Sequence, residues 1–157
     1  MVMKGKAPAK RASGAARKPM RFEDLTVKDI VKQRVPSARP DLTGDKVASL
    51  LLKTGGAVPV IDKSKQLLGM VSEHDVLVAL DEGHAWGART ARDLMSANPY
   101  SVRPETSLPT LVHVLTESDL LSVPVVNEKN RLLGMVTRRN VVRAALRPAA
   151  KRRPFAK

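Results

Sequence analysis

The 157-residue sequence contains no cysteine, which excludes disulfides, thiolate metal ligands and a cysteine nucleophile together. A cytoplasmic setting suits that absence. Aromatic residues supply only 3% of a chain that is 43% hydrophobic, so its core has to be built from Val, Leu, Ile, Met and Ala, as in aliphatic α/β packing. Long apolar runs are also missing. The longest, near 47–52 and 76–80, fall far short of the roughly 20 residues that cross a bilayer, so no membrane association is expected. Residues 1–18 are basic with no apolar stretch behind them and do not read as a secretory signal; a basic, acid-free organellar leader is the alternative reading.

Acidic residues are absent from both ends of the chain. All 15 lie within residues 21–146, beside 17 Lys and Arg, so the body is nearly neutral although the formal net charge is +13. The excess sits in residues 1–20 and 147–157, which are rich in Ala, Lys, Arg and Pro and show no hydrophobic period. Such composition cannot offset the entropy of ordering, so both tails are expected to be disordered. They could contact nucleic acid weakly, without sequence preference and with steep salt dependence.

Several chemical signatures are missing too. There is neither a P-loop nor a dinucleotide fingerprint, since Gly55 and Gly56 stand alone. No strained turn supports a serine nucleophile, and His74, His84 and His113 show no metal-ligand spacing. The chain is therefore not expected to be an enzyme or to need a metal or cofactor.

What is present is an internal repeat. VPVIDKSKQLLGMVS at 58–72 recurs as VPVVNEKNRLLGMVT at 123–137, displaced by 65 positions, and TVKDI at 26–30 matches TARDL at 90–94, displaced by 64. Arg39 and Pro40 likewise match Arg103 and Pro104, and one inserted residue near 120–122 reconciles the two offsets. Within each copy, two short aliphatic runs flank a polar stretch and read as a β-hairpin. Val47, Leu50 and Leu51, and again Leu111, Val114 and Leu115, recur at helical spacing behind Thr43 or Ser107 as N-caps. A second helix follows each hairpin, and extended pieces at 37–39 and 100–103 complete a β-α-β-β-α order. The expected fold is thus mixed α/β: two tandem units, 21–84 and 85–146, related by a pseudo-twofold axis, with clefts that also come in pairs. Trp86 in the linker reads as a packing anchor and His113 as structural.

Chemistry concentrates where the second hairpin strand turns into a helix, at SEHD (72–75) and TRRN (137–140). Ser or Thr followed three residues later by an acid or amide fits a capping box. The same geometry also suits a nucleotide: a helix N-terminus favours phosphate, the hydroxyl of Ser72 can donate to it, and the acceptor-only carboxylate of Asp75 can take both hydroxyls of a ribose. Arg138 and Arg139 start a helix, where the dipole disfavours cations, so either a bound polyphosphate or solvent has to compensate them. His74 either meets a ligand or is simply exposed.

The doubled VPV, LLGMV and Ser/Thr-x-x-Asp/Asn motifs resemble the CBS domain family, whose units occur in tandem as a Bateman module, and the resemblance spans roughly 25–146. It implies a regulatory module that binds AMP, ADP, ATP, S-adenosylmethionine or NAD(H) between its units, dimerises and signals to an effector protein. Carried onto this sequence, it assigns Asp75 to ribose and Ser72 to phosphate or ribose. It sets Ala57, Val58 and Pro59 against adenine, facing Ser37 and Arg39. In the second copy the counterparts are Thr137, Asn140, Ser122, Val123, Pro124, Ser101 and Arg103. Asn140 departs from the first copy's carboxylate, so the two sites are expected to be unequal, with ribose read better in the first and phosphate better in the second. Nonspecific nucleic-acid binding through the tails, or a scaffolding pair without ligand, are the alternatives.

Overall fold

A computed structural model describes residues 20–83 and 85–147; His84 and the basic tails apart from Met20 and Arg147 lie outside the described residues. The body is mixed α/β. In the first copy, helix α1 (Gly44–Thr54) leads into the hairpin of β1 (Ala57–Ile61) and β2 (Leu67–Ser72) and then helix α2 (Glu73–Asp81). After a 3-10 turn at Trp86–Ala88 come the short helix α3 (Ala91–Leu94) and strand β3 (Ser96–Ala97). The second copy repeats the order as α4 (Leu108–Glu117), β4 (Ser122–Val126), β5 (Leu132–Thr137) and α5 (Arg138–Ala145).

The repeat is visible in the hydrogen-bond register. Val58 pairs with Val71 and Pro59 with Met70, as Val123 pairs with Val136 and Pro124 with Met135, and both hairpins shift register at the same place, Val60/Ile61 and Val125/Val126. The loops rely on Asp62 and Asn127, whose side chains accept from backbone N–H groups two and four residues on. The extended pieces expected at 37–39 and 100–103 are shorter than a strand: only Ala38 and Val102 pair, each in parallel with the first hairpin strand of its own copy. Prolines at 36, 40, 99 and 104 flank both pieces and remove the N–H groups a longer ladder would use. Pro59 is tolerated inside β1 because its carbonyl, and so its missing N–H, face that edge, where Ala38 N donates to Pro59 O at 2.9 Å.

Two aliphatic clusters form the cores. Val47, Leu51, Val58, Val60, Val71 and Ala79 fill the first, with Trp86 packed against it, as anticipated for an anchor. Leu108, Leu111, Leu115, Val123, Val125 and Val136 fill the second. A third, small cluster of Ile61, Leu67 and Val126 joins the two hairpins, where Leu67 N donates to Asn130 O at 3.0 Å and Leu132 N to Lys65 O at 2.9 Å.

The segments that precede the copies are exchanged. Val27, fully buried, belongs to the second core, and Lys32 exchanges two 2.9 Å backbone bonds with Met135. Reciprocally, Ala91 and Leu94 belong to the first core, and Ser96 pairs with Met70. Each packed unit therefore takes its flanking segment from the other half of the chain. The close approach is permitted by glycine: a Cβ on Gly134 would meet the carbonyl oxygen of Lys32, and one on Gly69 would meet Met95 and, at 2.8 Å, the carbonyl oxygen of Ser96.

Candidate functional site

Both strand-to-helix junctions fold into full capping boxes. At the first, Asp75 N donates to Ser72 Oγ at 3.3 Å, while Ser72 N and Ser72 Oγ donate to Asp75 Oδ2 at 2.7 and 2.8 Å. At the second, Asn140 N donates to Thr137 Oγ1 at 3.1 Å, and Thr137 N and Oγ1 both donate to Asn140 Oδ1 at 2.9 Å. The boxes look alike but leave different groups over. Asp75 retains Oδ1, an acceptor suited to ribose hydroxyls, whereas Asn140 has spent its only acceptor and retains the Nδ2 donor. A backbone N–H pointing at Oδ1 fixes the orientation of the Asn140 amide.

A cavity of about 640 Å³, a size that suits a small-molecule ligand, opens between the two copies. Its floor comes from the second hairpin, at Ser122, Met135 and Thr137. Its walls come from the C-terminal end of α1, from Ala57, and from Val35 and Pro36 in the exchanged segment. Its rim is cationic: Lys32, Lys53, Arg138, Arg139 and Arg143 line it, and no Asp or Glu does. Gly55, in the left-handed region at φ 80°, ends α1 and lets the chain turn into β1 beside this opening.

Of the residues singled out in the sequence, Ala57, Ser122, Thr137, Arg138, Arg139 and Asn140 converge on this cavity. Val58, Pro59, Val123 and Pro124 are buried in the strands behind it, so any contact they offer is through backbone. Ser37 flanks the Ala38 bridge, Arg39 is exposed, and neither reaches this lining. Ser101 is half-buried beside Val102, while Arg103 lines a separate shallow opening with Lys28 and Arg131. Ser72 and Asp75 are half-buried at the first junction, and His74 is exposed.

Arg138 needs no ligand to be compensated. Its guanidinium donates to Asp119 Oδ1 at 2.8 Å and to Leu120 O at 2.6 Å, just past the C-terminal end of α4. The sequence reading missed Lys32, Lys53 and Arg143. Arg143 could have been found, because it lies one turn beyond Arg139 on the same helix; Lys32 could not, because it reaches the cavity only through the segment exchange. His113, taken as structural, is exposed.

The CBS domain model matches residues 27–82 and 91–147. The chain belongs to the CBS domain family. It is a CBS pair, and its geometry agrees with those of solved CBS pairs. The CBS domain-containing protein CBSX2, chloroplastic, of Arabidopsis thaliana is 30% identical over 82% of this chain and 66% of its own length, so the chain spans just under two thirds of that relative. The crystal structure of CBSX2 in complex with AMP superimposes at a TM-score of 0.72, with 35% identity over 78% of this chain and 96% of that one. The CBS-domain containing protein ATU1752 of Agrobacterium tumefaciens gives a TM-score of 0.69 at 27% identity, covering 78% of this chain and all of that one. CBS pairs also occur inside enzymes: the chain is 21% identical to an inosine-5'-monophosphate dehydrogenase of Methanocaldococcus jannaschii, over 24% of that enzyme. No helix among the described residues is long and apolar enough to cross a membrane.

Proposed function

We propose that this CBS pair is a regulatory module that senses an adenine nucleotide or related adenosyl ligand in the clefts between its units and performs no chemistry itself. The observation that carries this reading is the cavity at the second junction. There a capped helix start, a strand edge and basic side chains from both copies converge on one space of nucleotide size. The CBSX2 structure adds support, since a protein with the same fold and 35% identity was crystallised with AMP.

Ligand held between the copies would touch α1 of one and α5 of the other, and so would favour one relative orientation over others. The response is limited by the ligand's differential affinity for those states. Self-association is part of the proposal: α2 and α5 leave Leu77, Leu80 and Val142 exposed, a set of apolar side chains that a second copy could cover. An effector protein would then read the orientation of the pair.

Calorimetric titration with AMP, ADP, ATP, S-adenosylmethionine, NAD and NADH tests the reading. Micromolar binding of at least one, at one or two sites per chain, is expected. Failure of all six at millimolar concentration would overturn it and reduce both junctions to helix caps.

A further inference from the structure

The pseudo-twofold repeat allows each cation of the cavity to be compared with its own counterpart. Lys32 corresponds to Ser96, since one pairs with Met135 and the other with Met70. Lys53, near the end of α1, corresponds to Glu117 at the end of α4. Arg138, Arg139 and Arg143 correspond to Glu73, His74 and Val78 at the displacement of 65 that relates the hairpins. Five cations at one junction are thus replaced by two carboxylates, a histidine, a serine and a valine at the other. In a body with almost balanced charge, this is a concentration of positive potential in one cleft.

Four of the five are available to a ligand. Arg138 is held by Asp119, but Lys32, Lys53, Arg139 and Arg143 have no carboxylate partner among the described residues. Arg139 also lies in the first turn of α5, where a cation is unfavourable unless an anion faces it. The exchange of Asp75 for Asn140 points the same way. With Oδ1 taken by the cap, the amide has only N–H donors left, so both the charge and the free hydrogen-bonding capacity of the site suit an oxygen-rich polyanion.

We infer that this cleft selects the polyphosphate end of its nucleotide, taking a nucleoside di- or triphosphate in preference to AMP, and that it rejects S-adenosylmethionine, whose sulfonium and ammonium groups would face like charges. The inference rests on the nucleotide reading of the same cleft and adds the class of ligand.

Adenosine, AMP, ADP, ATP and S-adenosylmethionine are titrated into the full chain and into a variant carrying the counterpart residues Lys53→Glu, Arg139→His and Arg143→Val. All three sites are exposed, and thermal melting checks that the fold is kept. In the unaltered chain, affinity should rise from AMP through ADP to ATP, by roughly tenfold overall at low salt and less at high salt. S-adenosylmethionine should fail to displace ATP, and in the variant ATP should bind no more tightly than AMP. Should the triple variant melt early, Arg143→Val alone should lose part of the rise. Equal affinity for AMP and ATP, displacement of ATP by S-adenosylmethionine, or a rise that survives the triple variant would each overturn the inference while leaving a nucleotide sensor in place. Absence of binding by adenosine, the three nucleotides and S-adenosylmethionine, with NAD and NADH failing as well, would instead overturn the nucleotide reading itself.

Discussion

Asp75 both closes a helix cap and offers a carboxylate oxygen outward, and two substitutions separate these roles. Asp75→Ala removes both, so it should cost about 1 kcal/mol of stability as well as binding at the first junction. Asp75→Asn can retain the cap, as Asn140 does in the second copy, and should leave the melting temperature nearly unchanged while weakening any ligand held through ribose. Equal loss of stability in the two variants would show that the charge, and not only the acceptor, supports the cap. Asp93 provides a further case: N–H and hydroxyl donation from Thr90 holds its carboxyl below the usual carboxylate value. The folded state therefore gains stability from Asp93 above the ordinary carboxylate range and loses it as the pH falls through the lowered value. Denaturant unfolding at neutral pH and near pH 3 should show a smaller acid-induced loss in Asp93→Asn than in the unaltered chain.

At the scale of elements, the hairpins and the helices after them are legible in the sequence because each carries a local signal: two short aliphatic runs, a polar stretch between them that holds Asp62 or Asn127, and a cap hydroxyl. The helix expected after each hairpin is found directly behind it, at Glu73–Asp81 and Arg138–Ala145. The cavity was only half legible. Thr137, Asn140 and Ser122 belong to local motifs, whereas Lys32 and Lys53 arrive through long-range packing that periodicity does not record. Thr43 shows a similar limit. It stands at the N-cap of α1, yet its side chain makes no cap bond to the helix and instead hydrogen-bonds the Asp45 carboxylate, holding that carboxyl below its ordinary value. The two hairpin glycines give a paired test. Gly134→Ala forces a methyl against the backbone of Lys32, which cannot yield, and Gly69→Ala meets Ser96 backbone and a flexible Met95. Both should destabilise, Gly134→Ala by the larger amount, and melting curves of the two variants measure the difference.

For the whole molecule, the exchanged segments decide what counts as a unit. A fragment ending near residue 84 would carry the first core without Ala91 and Leu94, and a fragment starting near 85 would carry the second without Val27. Neither half should fold cooperatively alone, and mixing the two should restore structure detectable by circular dichroism. Truncation of a fully buried side chain in one core, Leu111→Ala, should cost about 2–5 kcal/mol and lower the single transition of the whole chain rather than release one half.

The same crossing has a bearing on how the protein is made. Val27 leaves the ribosome ahead of the groups it packs with: the carbonyl of Thr106 that its N–H donates to, and the Leu108 and Leu111 side chains of the core it joins, are translated some eighty residues later. The segment around Val27 must therefore wait, unsatisfied, while the intervening copy is synthesised, before it closes a long loop. Folding is in that sense clocked by translation: the native pair can be sealed only after the second hairpin has emerged, and a slow, topology-limited step is built into a protein whose individual elements are all short and local.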